Sequence, residues 1–87
     1  MTSIKSMWQV YILKCADGTF YTGITTDIKR RVKEHHNSVL GAKYTRGRRP
    51  VKLAYSRKMK NKPLAAKEEC RIKKMTRLEK RKLIKIK

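Results

Sequence analysis

WQVYILKCADGTFYTGITTDIKRRV, residues 8–32, holds two β-rich runs, a turn and a helix start in that order. Trp8 to Cys15 is β-branched, aromatic and apolar, and Phe20 to Thr25 has the same character. Between them, Ala16-Asp17-Gly18 is a turn signal, so the two runs form a β-hairpin. Two registers are open. A two-residue Asp17-Gly18 turn pairs Tyr11 with Ile24 and sends Tyr11 and Tyr21 to opposite faces. A three-residue Ala16-Asp17-Gly18 loop with Gly18 left-handed pairs Leu13 with Tyr21 and gathers Tyr11, Tyr21 and Gly23 on one face. Asp-Gly suits both. Immediately after the second strand, Thr26 or Asp27 can cap a helix with Ile28 and Val32 as its buried stripe.

Outward from this stretch the pattern continues as far as Lys87. The first helix is expected to end near Ser38, and GAKYTRGRRP (41–50) is a loop with two glycines, a proline and four cations. Val51 to Arg57 alternates with period two and predicts a half-buried third strand. Pro63 suits the first turn of a helix running towards Met75. Thr76 and Glu79 make a capping box that starts a last helix, ending near Ile84. The order ββαβαα predicts an α+β fold, a small three-stranded antiparallel sheet flanked by helices. At 87 residues one domain spanning 1–87 is expected, with a basic C-terminal helix and tail from about residue 76.

Charge narrows the function. The chain holds 25 Lys and Arg against 6 Asp and Glu, net +19, which repels itself unless an anionic partner or counterions are present. The imbalance is concentrated in residues 41–87, with 19 cations and 3 acids. Nucleic acid is the expected partner. No apolar run of about 18 residues and no Trp, Phe and Leu-rich amphipathic helix points to a membrane. MTSIKSMWQV lacks the apolar core of a secretory signal, so a cytoplasmic location is expected. Cys15 and Cys70 match no zinc spacing with His35 and His36 and are read as small hydrophobes in a reducing compartment, without disulfide or structural metal.

On the first helix, Arg31 and His35 are four apart and stack on one face, taken to lie away from the Ile28 and Val32 stripe. They can be part of a solvated basic face, just as Tyr11 and Tyr21 can be packing residues. They can equally surround a phosphate.

Val10-Tyr11-Ile12, then Tyr21-Thr22-Gly23 ten residues on, then Arg31 and His35, resemble the GIY-YIG nuclease superfamily, in particular its small stand-alone bacterial members. VYI stands for GIY and YTG for YIG, keeping both tyrosines and Gly23. The resemblance covers Trp8 to Ile84 and favours the three-residue hairpin loop. It implies Tyr11, Tyr21, Arg31 and His35 as catalytic residues and Glu69, in EECRIKK, as the ligand of a single Mg²⁺ or Mn²⁺. In that reading Arg31 holds the scissile phosphate, its fork being matched to phosphate oxygens. Tyr11 is the base, its pKa lowered from about 10 by positive surroundings. His35 shares or relays the proton, Tyr21 orients water or phosphate, and Gly23 lets the backbone approach substrate or helix. Glu68 is the rival ligand, and Glu69 could instead be an i,i+4 partner of Lys73.

Lys43, Arg46, Arg48, Arg49, Lys73, Lys74 and the tail to Lys87 are expected to contact phosphates without sequence preference. Tyr44 and Tyr55 could stack on bases, although Tyr55 fits better as a core residue of the third strand. The function read here is a metal-dependent endonuclease acting on nucleic acid, DNA before RNA, in repair or processing. The competing class is a basic nucleic-acid-binding module without chemistry. Larger relatives choose targets with appended domains, so here the basic surface or a partner protein must do so.

Overall fold

The computed structural model describes residues 7–37 and 48–86. Its elements are β1 (Trp8–Cys15), β2 (Phe20–Thr25), α1 (Ile28–Asn37), β3 (Val51–Met59), α2 (Lys62–Lys73) and α3 (Arg77–Ile86). The strands form one antiparallel sheet in the order β2-β1-β3, so the α+β architecture expected from the sequence is the one observed.

The hairpin adopts the three-residue loop. The Cys15 amide donates to the Thr19 carbonyl at 2.8 Å, and the Gly18 amide donates to the Cys15 carbonyl at 2.9 Å. Gly18 has φ +85°, which an L side chain adopts only with strain. Leu13 therefore faces Tyr21 and Tyr11 faces Gly23.

β3 departs from its expected simple alternation and runs two residues further than expected, to Met59. Ile12 pairs with Tyr55 but Leu13 pairs with Leu53, so Ala54 is an extra residue, a β-bulge. Side chains alternate across a strand, so one extra residue exchanges the faces on either side of it. Val51 and Tyr55 are both buried but on opposite faces, and Leu53 is left 43% exposed.

The helix starts are set by side-chain caps. Asp27, rather than Thr26, accepts from the Arg30 amide at 3.2 Å and starts α1. Asn61 accepts from the Leu64 amide at 3.0 Å and starts α2 at Lys62, with Pro63 in the first turn as expected. The Thr76 and Glu79 box forms in both directions, 2.8 Å and 3.1 Å, and α3 continues to Ile86, two residues past expectation.

Two small cores lie on the two faces of the sheet. Tyr11, Leu13, Cys15 and Val51 pack with Tyr21 and with Ile28 and Val32 of α1. Val10, Ile12 and Tyr55 pack with Ile72 of α2, and Met75, Leu83 and Ile84 close this second core. The sheet is thus a middle layer, α1 on one side and α2 with α3 on the other. Tyr55 is a core residue, 7% exposed. Cys15 is buried, whereas Cys70 is exposed and does not act as a core hydrophobe.

Candidate active site

The α1 face of the sheet carries the tyrosines. Tyr11 and Tyr21 project from neighbouring strands with ring centroids 6.3 Å apart, because the hairpin register puts both on that face. His35 reaches them from α1. It is fully buried, its ring 4.9 Å from Tyr21 and 5.9 Å from Tyr11, and its Nε2 lies 2.9 Å from the Tyr11 hydroxyl. This corrects the placement of His35 away from the apolar stripe. Residues 28, 32 and 35 are spaced i, i+4, i+7 and lie on one helical face, so the imidazole extends the stripe into the core.

Arg31, one turn before His35, sits at the border of that face. Its guanidinium lies beside the Tyr11 hydroxyl and donates to Glu34 Oε1 at 2.8 Å, and these two partners hold it charged although burial opposes this. Arg31 also lines an open cleft of about 450 Å³, with Arg30, Glu34, Thr25, Thr26, Ile24 and Trp8 around it. The cleft is where a phosphate can reach the guanidinium.

Gly23 is required by Tyr11. A Cβ at position 23 would stand 2.6 Å from the Tyr11 oxygen and 2.8 Å from the ring carbon bearing it. The nearest atoms over this glycine belong to the two tyrosines, not to α1.

Protonation follows from burial. His35 is pushed down to about 4, mainly by desolvation and then by the charge of Arg31, so it is neutral at pH 7. Tyr11 is pushed up to about 12 by desolvation, which outweighs the hydrogen bond from Arg31. The expectation of a lowered Tyr11 pKa is therefore corrected: a phenol this buried keeps its proton in the free protein despite the cations around it.

Glu69, on α2, is close enough for its charge to oppose ionisation of Tyr11. Its side chain is 22% exposed, and the carboxylate pairs with Lys73 at 3.1 Å, the i,i+4 contact anticipated from spacing. Glu68 is turned elsewhere. It pairs with Arg71 at 2.6 Å and with Arg57 of β3 at 3.7 Å, and the Arg71 hydrogen bond holds it below the usual carboxylate range. Among the described residues no three His, Cys, Asp or Glu side chains gather as metal ligands. A lone carboxylate beside a phenol does not make the closed cage of a structural zinc site. It does fit a hard divalent cation that keeps most of its waters.

Of the cations expected to meet phosphates, Lys43 and Arg46 lie outside the described residues, as does Tyr44. Arg48 pairs with Asp17 at 3.0 Å. Arg49 donates to the carbonyls of His35 at 2.7 Å and Glu34 at 3.3 Å, closing the C-terminal turn of α1 beneath the site. Lys74 caps the end of α2 with its side chain exposed. Glu34 was not singled out from the sequence, and Arg49 was expected only as a phosphate contact, not as a partner of the α1 carbonyls. Glu34 was legible as the i+3 neighbour of Arg31, but the reach of Arg49 to α1 has no local signal.

The profile of the GIY-YIG catalytic domain matches residues 7–82. The chain is 53% identical over 81 residues to a UPF0213 protein of Desulfotalea psychrophila, covering 93% of this chain and 74% of the relative. It is 51% identical over 74 residues to one from Halobacterium salinarum, covering 85% and 95%. Two solution NMR structures are similar. The UPF0213 protein BH0048 from Bacillus halodurans has TM-score 0.61 at 44% identity, covering 93% of this chain and 85% of that one. EF2693 from E. faecalis has TM-score 0.63 at 41% identity, covering 92% and 84%.

Proposed function

The chain belongs to the GIY-YIG catalytic domain family, and from that premise we propose that it is a metal-dependent endonuclease hydrolysing phosphodiester bonds in nucleic acid, DNA before RNA. The observation that carries the reading is the Tyr11 hydroxyl, held between Arg31 and the neutral Nε2 of His35, 2.9 Å away. A binding module has no use for a buried phenol in that position.

The phenol works as a relay. A guanidinium has no acceptor, so Arg31 can only donate to the Tyr11 oxygen, and the phenolic hydrogen is left to point at Nε2. As a water attacks phosphorus, its proton passes to the Tyr11 oxygen while the phenolic proton moves to His35. The new O–P bond forms as the bond to the leaving oxygen breaks, solvent water protonates that oxygen, and His35 then gives its proton to the hydroxide so left while Tyr11 keeps the one it gained. The net charge of the pair rises only during the step, and neither group has to be ionised beforehand. This suits a Tyr11 at about 12 and a His35 at about 4. Arg31 holds the scissile phosphate from the cleft, its bidentate fork exchanging Glu34 for phosphate oxygens. Tyr21, its ring tilted against that of His35, keeps the imidazole in place and faces the attacking water.

Glu69 would hold a Mg²⁺ or Mn²⁺ ion, released from Lys73, and Gly23 keeps the space for Tyr11. When bound, the ion supplies positive charge to the phosphate and to the leaving oxygen. In this proposal the enzyme serves nucleic-acid processing or repair in the cytoplasm, with targets chosen by the basic surface or a partner protein.

The test is cleavage of labelled duplex, single-stranded and branched DNA and of RNA with Mg²⁺ or Mn²⁺, comparing wild type, Tyr11→Phe and Glu69→Ala at matched salt. Wild type cuts at least one substrate, and both variants bind it but lose cutting by at least roughly 100-fold. Binding throughout with no cutting by wild type makes the protein a binding module instead. Loss in Glu68→Ala with Glu69→Ala unaffected reassigns the ligand.

A further inference from the structure

The six acids of the chain are unevenly allocated. Asp17 pairs with Arg48, Asp27 with Arg30, Glu34 with Arg30 and Arg31, Glu68 with Arg57 and Arg71, and Glu69 with Lys73. The sixth, Glu79, is on α3, but its carboxylate accepts from the Thr76 amide. Arg77, Lys80, Arg81, Lys82 and Lys85 of α3 consequently have no ion-pair partner among the described residues. Leu83 and Ile84 turn inward to the second core. The opposite side of the helix presents Arg81, Lys82 and Lys85 around Leu78, itself 61% exposed.

The position of this helix is as informative as its charge. α3 packs on the Val10, Ile12 and Tyr55 face, whereas Tyr11, Tyr21 and His35 occupy the other. Along β2, the Arg31 cleft is lined at the Thr25 end. Arg77 and Lys80 line a groove of about 210 Å³ at the Thr19 and Phe20 end. The described domain measures 38 × 29 × 19 Å, and duplex DNA has a persistence length of about 150 bp. Arg81, Lys82 and Lys85 point away from the sheet on the side opposite the tyrosines, so a stiff rod lying in the Arg31 cleft reaches them only by folding back around the domain, which its stiffness forbids.

We propose that α3 is a second nucleic-acid-binding surface, so that one molecule of this protein holds two separate segments of duplex DNA. The occupant follows from charge: five unpaired cations on ten residues match a phosphate backbone, whose neutralisation releases counterions. The inference rests on the nuclease reading only for what occupies the Arg31 side.

The experiment uses the full chain without divalent metal, so that nothing is cut, and two 16-bp duplexes, one with a donor dye and one with an acceptor. Wild type brings the dyes together. Energy transfer rises with protein and falls again when protein exceeds duplex, as each segment acquires its own molecule. Arg81→Gln, Lys82→Gln and Lys85→Gln combined, all on the exposed side of α3, do not lower the thermal melt and retain binding of one duplex. The salt slope of log affinity for the α3 surface is lost, a decrease of up to about 3, and energy transfer disappears. Unchanged transfer in this variant overturns the proposal. So does binding by wild type without transfer, transfer carried only by complexes with two protein molecules, or loss of all duplex binding in the variant. If α3 instead receives a protein or an anionic membrane, wild type shows no transfer. Cleavage is absent from this assay, so the nuclease reading can fail in the substrate panel while bridging stands.

Discussion

Tyr11 and His35 make an unequal pair, a phenol that resists losing its proton and an imidazole that resists gaining one. The free imidazole is the form that can accept, so the acid limb of cleavage is expected near pH 4, not near the ordinary histidine value of about 6.5. Metal-saturated rate against pH measures this, and a limb at 6.5 removes His35 from the relay. The same shift affects stability. The folded value lies below the unfolded one, so the unfolded chain takes up the proton first. Stability conferred by neutral His35 is complete above about pH 7 and declines as pH falls from about 6.5 towards 4. Denaturant midpoints in that window should fall for wild type more steeply than for His35→Gln. Gly23→Ala tests the neighbouring constraint. The new methyl meets the Tyr11 oxygen at 2.6 Å, and the phenol must shift. We expect about 1–3 kcal/mol of destabilisation and a larger loss of cleavage than of folding. Full activity in this variant shows that Tyr11 can move and still react.

Among the elements, those fixed by local chemistry were the readable ones. The hairpin, the Thr76 capping box and the helix after Asp27 all declare themselves within a few residues, because their hydrogen bonds close locally. The register between Tyr11 and Gly23 needed more than Asp-Gly, which satisfies two turns equally. Ala54 was invisible, since a bulge is decided by how β3 meets β1 and not by anything in VKLAYSR. His35 was misplaced for a different reason. An imidazole reads as polar, and only the core around the tyrosines draws it inward. Pro63 marked the first turn of α2, and the cap before it, Asn61, was overlooked beside that more conspicuous residue. Replacing either cap, Asn61→Ala or Thr76→Ala, is expected to destabilise by about 1 kcal/mol, read from urea unfolding. A null effect at Asn61 assigns the start of α2 to Pro63 alone.

For the whole molecule, charge is the dominant fact. Net +19 on 87 residues opposes compaction until anions gather. Thermal stability should therefore rise when chloride is replaced by sulfate at constant ionic strength, or when a short non-cleavable duplex is added. A melting temperature indifferent to both separates the charge from stability. Affinity for duplex should drop steeply between 50 and 200 mM salt, by roughly a thousandfold if six phosphates are neutralised.

β1 divides its labour by parity. Its odd positions, Tyr11, Leu13 and Cys15, belong to the tyrosine face, and its even positions, Val10 and Ile12, to the core under α2 and α3. A single strand is therefore read twice, once for reactivity and once for cohesion. Val10 and Ile12 can be exchanged for other aliphatics with compensating changes at Ile72 or Leu83 while the reacting groups keep their neighbours. Randomised libraries confined to even positions should yield folded, active chains far more often than libraries at odd positions, and the descendants of this sequence are free to drift along one side of a strand whose other side is held still.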